Sequence, residues 1–157
     1  MHRLPANKCI TCGMGPRPVY LWTLRMVHCN GWCFTWTISA VAGTHICLRA
    51  VRAKAMCDAI AEHKVTHLCG APIVMSTLLN APAGEKQPLP PVVQFATAPA
   101  PPPEAVLAAL TTAGFNVAQS YGRREALGRS VGSEWEPAVD RVRPGHRPAH
   151  ARRETRP

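Results

Sequence analysis

"AKAMCDAIAEHKVTHLCGAPIVMSTLLNAP" occupies residues 53–82, and the change of period along it decides the fold class. In "AKAMCDAIAEHK" (53–64), Met56, Cys57, Ile60 and Ala61 fall on one face of a helix, the apolar stripe of a helix that packs on a sheet. "VTHLCG" (65–70) then reads as a short strand, and "APIVMSTLLNAP" (71–82) as a second helix closed by Asn80 and Pro82. Strands alternating with helices of about 10–15 residues imply right-handed βαβ crossovers.

The same alternation continues outward in both directions. Toward the N-terminus, "PVYLWTL" (18–24) reads as a buried strand, "GWCFTWTISAVAG" (31–43) as an apolar helix ended by Gly43, and "THICLR" (44–49) as a strand rich in β-formers. Toward the C-terminus a polar connector, "AGEKQPLPP" (83–91), precedes strand "VVQFAT" (92–97) and the proline run "APAPPPEA" (98–105). Helix 103–114 and strand 115–122 come next, with Pro103 and Glu104 suited to a first helical turn. The fold class is α/β: βαβ units with a largely parallel sheet. From Arg141 onward nearly every residue is Arg, Pro, His, Ala or Gly, a composition that cannot bury enough surface to offset ordering. The sequence thus divides into an extension (1–10), an α/β region (11–125) and a tail (126–157) expected to be disordered.

A chain of 157 residues suffices for one domain with a real core. No apolar run approaches the ~20 residues of a membrane helix. The start, "MHRLPANKCITCG", lacks the apolar stretch of a secretory signal, so a cytoplasmic location is expected. Seven cysteines, an odd number, then read as reduced thiols, with Cys47 and Cys57 in apolar surroundings. Of the net charge of +9, the segment 141–157 supplies +5 from six Arg and one Glu, which leaves +4 for residues 1–140. Such a tail attracts phosphate non-specifically, and nucleic acid is not the expected partner.

"HCNGWCFTW" (28–36) poses the question of function: it is a metal knuckle, a piece of core, or a channel wall. Cys9-x2-Cys12 and Cys29-x3-Cys33, with His28 spare, approximate a four-thiolate zinc site, so a Cys-rich zinc protein is one alternative. The second pair is one residue wide for the commonest knuckle, and an apolar strand separates the pairs. A hydrolase fits worse, because Gly-x-Ser-x-Gly is absent and "GRSVGS" (128–133) has no strand-turn-helix around it. Neither Gly-rich type of phosphate loop is found.

Taken in order, the blocks "VYLWTLRMVHCNGWCFTWTISAVAGTHICLR", "VTHLCGAPIVMSTLLNAP", "TAPAPPPEAVLAAL" and "GFNVAQSYGRREA" resemble the AMP-forming acyl-CoA synthetases. That likeness runs from about Thr11 to Glu125 and covers an internal part of the family's large N-terminal domain. It implies an activity, acyl-CoA formation from a fatty or other carboxylic acid, ATP and CoA, with AMP and pyrophosphate released. By the same resemblance the cofactors are ATP/AMP, Mg²⁺ and CoA, and the partner is a small-molecule carboxylic acid. His28, Gly31 and Trp32 would line the acyl and pantetheine channel. Thr97, Ala98, Ala100 and Pro101 belong to the loop beside the adenine, Tyr121 would flank the adenine, and Gly122 would permit close approach. Glu125 falls on the catalytic carboxylate that contacts Mg²⁺ and phosphate.

Departures from the family pattern qualify the activity. Arg123 and Arg124 stand where the family has an uncharged residue and a Thr, Pro99 where it has a small residue, and Arg25 where it has a Pro. The loop that grips the outer phosphates, the ribose clamp and the adenylation lysine fall outside the resembling blocks. Loss of one charge-stabilising group commonly costs ~10²–10³ in rate. The expectation is therefore a truncated ligase domain, inactive alone, whose tail was read out of frame. A non-catalytic module that binds adenylate, acyl group or partner is the second alternative.

Overall fold

The computed structural model describes residue 9 and residues 12–27, 31, 33–85, 87–88, 92–97, 102–121 and 131–134. Its elements follow the alternation read above: β1 (Val19–Trp22), α1 (Phe34–Ala40), β2 (Thr44–Cys47), α2 (Ala53–His63), β3 (His67–Gly70) and α3 (Pro72–Leu79). A 3₁₀ turn (Ala83–Glu85) leads to β4 (Val93–Thr97), α4 (Glu104–Thr112), β5 (Phe115–Tyr121) and β6 (Val131–Glu134). Among the described residues these strands form one sheet in the order β2-β1-β3-β4-β5-β6. The first five run parallel, and β6 lies antiparallel to β5, with Tyr121 opposite Val131 and Ala118 opposite Glu134.

Period-two alternation along the strands divides the side chains between two layers. Leu21, Leu68, Val93, Phe95 and Val117 point to one face, where they pack on Met56 and Ile60 of α2, Met75 of α3 and Leu110 of α4. Tyr20, Trp22 and Cys69 point to the other, where Phe34 and Ile38 of α1 and Met14 cover them. The stripe on α2 appears as expected at Met56, Cys57 and Ile60, with Ala59 buried and Ala61 only partly so. Its C-cap, Lys64, turns left-handed at φ 52, and Val65 N–H closes back on the Ile60 carbonyl at 3.2 Å.

Four expectations need correction. The helix expected over 31–43 begins at Phe34, because its N-cap, Cys33 (φ 67), is left-handed and cannot join a right-handed helix. Gly43 does not end it through positive φ either. A Cβ there would lie 2.6 Å from Ile38 Cγ2 and 2.7 Å from the Pro18 carbonyl oxygen, so glycine serves close approach between α1 and the start of β2. Residues 131–134, expected within a disordered tail, form β6, a strand held by ladder hydrogen bonds to β5 rather than by an apolar pattern of its own. Finally, Cys57 is buried as expected but Cys47 is exposed, since β2 is an edge strand with a neighbour on one side only.

Candidate functional site

All five parallel strands end at one edge of the sheet, so the segments leaving their carboxyl ends converge there. The order β2-β1-β3-β4-β5 reverses direction after β2: the first crossover leads outward from β1, and the next returns past it to β3. Open α/β sheets bind ligands at the carboxyl ends of strands, by such a switch point. Here Thr23, just past β1, donates from Oγ1 to the Cys69 carbonyl of β3 at 2.7 Å, a buried bond that ties the two strand ends together.

Thr97 is the last residue of β4, opposite both Gly70 of β3 and Gln119 of β5. It is fully buried, and its Oγ1 has no hydrogen-bond partner among the described residues. A polar group so placed costs free energy unless a ligand or water meets it. Tyr121 ends β5 two positions beyond Gln119, on the same edge. The structure thus sets two of the residues the sequence singled out for the adenine at the ends of neighbouring strands. Ala98, Ala100, Pro101, Gly122 and Glu125 lie outside the described residues, as do Pro99, Arg123 and Arg124.

Of the expected channel residues His28, Gly31 and Trp32, only Gly31 is described. It lies against the indole of Trp22: a Cβ there would meet Cη2 and Cζ3 at 2.7 Å. Glycine is therefore required twice, by its φ of +62 and by this contact. Trp22 in turn donates from Nε1 to His45 Nδ1 at 3.0 Å. Arg25 is exposed, so its charge reaches solvent in this otherwise apolar neighbourhood.

Sequence reasoning missed a second polar group, deeper on the α1 face. Across five strands one register row runs His45, Tyr20, His67, Gln94, Asn116. Asn116 Nδ2 donates to Gln94 Oε1 at 3.0 Å. Thr66 Oγ1 receives the Val19 N–H at 3.0 Å and faces the Val19 carbonyl at 3.1 Å and His67 Nδ1 at 2.8 Å. Thr66 Oγ1 has a single proton for the Val19 carbonyl and the imidazole, and the direction of its contact with His67 Nδ1 follows the ring tautomer.

Tyr20, His67 and Gln94 line a cavity of about 80 Å³ with Cys12, Gly13 and Phe34. His67 Nε2 and the Tyr20 hydroxyl make no well-formed hydrogen bond to the described residues. Burial lowers the His67 pKa below its ordinary value, and the Cys12 and Gly13 backbone only partly offsets this. Burial, then the nearby Cys69 and Cys12 thiols, holds the Tyr20 phenol well above the usual tyrosine range. The polar lining of this cavity lies near the amino-terminal ends of β1, β3 and β4, away from the edge where Thr97 and Tyr121 close β4 and β5. Parallel register, invisible in any single segment, is what assembles it.

For the zinc alternative, no three His, Cys, Asp or Glu side chains among the described residues come close enough to hold a metal; Cys29 and His28 lie outside them. Cys9 and Cys12 pack instead against the Tyr20 and Phe34 cluster. Burial, followed by the Cys12 charge, raises the Cys9 pKa. No helix among the described residues is long and apolar enough to cross a membrane.

Known proteins match this arrangement. The family model described as AMP-binding enzyme matches residues 2–150, a wider span than the motif blocks at 11–125. The chain is 48% identical over 136 residues to an acetate–CoA ligase of Humulus lupulus, covering 86% of this chain and 24% of that protein. It is 47% identical over 133 residues to a peroxisomal acetate/butyrate–CoA ligase of Arabidopsis thaliana, covering 84% and 23%. The chain thus spans about a quarter of the length of these relatives. Its fold resembles the N-terminal domain of FACL13 from Mycobacterium tuberculosis, with a TM-score of 0.79 at 21% identity over 88% of this chain and 35% of that one. With that fold and a family match over most of its length, the chain belongs to the AMP-binding enzymes.

Proposed function

We propose that this chain forms the adenine- and acyl-binding edge of an AMP-forming ligase for short-chain carboxylic acids. The observation that carries this reading is a fully buried Thr97 hydroxyl, without a partner among the described residues, at a strand end next to the one that Tyr121 closes, in a chain about 48% identical to an acetate–CoA ligase. In the reaction, the acid's carboxylate oxygen attacks the α-phosphorus of ATP, and the bond to the bridging oxygen breaks with pyrophosphate leaving. A CoA thiolate then adds to the acyl carbonyl and expels AMP.

Within that scheme Tyr121 flanks the adenine, Gly122 lets the backbone come close, and the Thr97–Pro101 loop runs along the base. An adenine edge offers both donors and acceptors, and a buried hydroxyl can meet either, so Thr97 suits the group. His28, Gly31 and Trp32 line the channel that aims the carboxylate, where orientation supplies much of the rate. Glu125 offers the hard oxygen donor that Mg²⁺ takes, and the ion would neutralise phosphate charge. The substrate class comes from the relatives, whose names specify acetate and acetate/butyrate. We place the activity in a larger unit: with about a quarter of the relatives' length, the 157 residues alone are inactive.

Calorimetry with AMP and pyrophosphate-release assays with acetate, butyrate and CoA test this reading. The folded chain should bind AMP, Tyr121→Ala should weaken binding about tenfold, and no pyrophosphate should appear above a Glu125→Ala control. Such stacking on a base is worth about 1–3 kcal/mol, which covers that factor. Release above the control would overturn the inactivity, and failure of the folded chain to bind AMP would overturn the site.

A further inference from the structure

Trp22 joins three elements through a single direction of hydrogen bonding. Its Nε1–H donates to His45 Nδ1 at 3.0 Å, and the two ring planes are nearly parallel, 10° apart with centroids at 5.9 Å. That separation fits an in-plane hydrogen bond between rings lying side by side, not a face-to-face stack. Because Nδ1 accepts, the neutral ring carries its proton on Nε2, which faces Ser39 Oγ at 3.2 Å. Ser39 Oγ passes the sequence on, donating to the Thr35 carbonyl at 2.8 Å. β1, β2 and α1 are thus tied at one indole, whose opposite edge fills the space beside Gly31.

We infer that His45 is a positioning residue of the acyl channel: by holding the Trp22 indole it fixes the wall on which the Gly31 backbone rests, and so the acyl length accepted. This rests on the channel role proposed above for Gly31. The indole is 5% exposed and packs edge-on against Tyr20, with centroids 4.9 Å apart, so its plane is constrained by packing, while its rotation is set by the one polar bond at Nε1. Without that bond the ring can tilt, and the close approach of Gly31 to the indole, which leaves no room for a Cβ, no longer holds. A wall displaced by less than a methylene is enough to change selection, since one methylene in an apolar pocket is worth about 10–200-fold.

The test uses the 157-residue chain as wild type, His45→Ala and His45→Asn, whose Oδ1 can take the place of Nδ1. By ¹⁵N NMR, His45→Ala should raise exchange of the Trp22 indole N–H at least tenfold and shift the Gly31 amide with it, and His45→Asn should restore both. Titration with acetyl-, butyryl- and hexanoyl-sulfamoyladenosine should show wild type and His45→Asn preferring the shorter groups, and His45→Ala losing about tenfold of that preference. An indole that loosens while the Gly31 amide stays still overturns the inference, as does an unchanged preference in His45→Ala. Binding of adenosine sulfamate without any acyl preference in wild type overturns it alone. Failure of every analogue to bind a folded wild-type chain overturns the proposed function as well. Should His45→Ala not fold, Trp22→Phe removes the same bond from the other side and should shift the Gly31 amide and lose about tenfold of the preference for shorter groups.

Discussion

On the face covered by α2, α3 and α4 the strands present Leu21, Leu68, Val93, Phe95 and Val117, all buried hydrocarbon. On the face covered by α1 they present Trp22 and a register row of His45, Tyr20, His67, Gln94 and Asn116, rings and amides on β1 to β5. The first face is stabilised by area removed from water, roughly 25 cal/mol per Å², and tolerates any close-packed arrangement of similar volume. The second works only in one register, because each polar group needs its particular neighbour. One face supplies stability, and the other fixes which strand ends meet at the edge where Thr97 and Tyr121 lie.

Adjacent residues of β4 offer the sharpest way to break this contrast. Phe95, fully buried and edge-to-face with Phe115 at 6.2 Å, points to the apolar face, and Gln94 to the polar one. Phe95→Ala should cost about 3–5 kcal/mol in urea unfolding. Gln94→Ala should cost about 1 kcal/mol, the worth of the hydrogen bond from Asn116. Equal losses would mean that the faces do not differ in how they hold the fold.

Gly43→Ala probes the join between α1 and β2. The added methyl would meet a backbone oxygen at 2.7 Å as well as a side chain, so the strain cannot be relieved by a rotamer change alone. A loss of about 1–3 kcal/mol is expected from overpacking. Thermal denaturation reads it, and a shift no larger than that of Gly84→Ala, where a Cβ meets nothing within 4 Å, would refute the close approach.

These sites also mark what the sequence could reveal. The stripe Met56, Cys57, Ile60 and the run "VVQFAT" carry their period within one element, and both appear in the structure within a residue or two of the expected bounds. Thr97 and Tyr121 enter the sequence reading through the family resemblance, and the structure puts them at the ends of β4 and β5. The left-handed turn at Cys33 is not, since nothing in the apolar run "GWCFTW" distinguishes it from a first helical turn. β6 escapes because its partner, β5, supplies the order that "VGSE" lacks. The polar row escapes for a related reason: His45, Tyr20, His67, Gln94 and Asn116 belong to five separate strands, and only the register makes them neighbours.

At the switch point, Thr23→Val keeps the shape and removes the buried bond to the Cys69 carbonyl. About 1 kcal/mol should be lost. Hydrogen exchange at the ends of β1 and β3 should rise more than in α2, and uniform acceleration would show that Thr23 contributes globally and does not tie these two ends.

The smallest effect concerns His67, whose sign is set by burial. Its folded pKa lies below the ordinary 6.5, chiefly through desolvation, so the folded protein resists the proton that the unfolded chain accepts. Above 6.5 the ring is neutral in both states and contributes no pH dependence. As pH falls from 6.5 toward the lowered folded value, the unfolded state binds the proton first, and stability declines through that window. His67→Gln removes this term, so the urea midpoint of wild type should fall more between pH 7.5 and 5.5 than that of the variant. Parallel declines would show that the cavity beside Tyr20 and Gln94 solvates the imidazolium as well as water does. The polar face would then be wet where the apolar face is dry, and its register would be held by the Thr66 and Asn116 bonds without help from a buried neutral histidine.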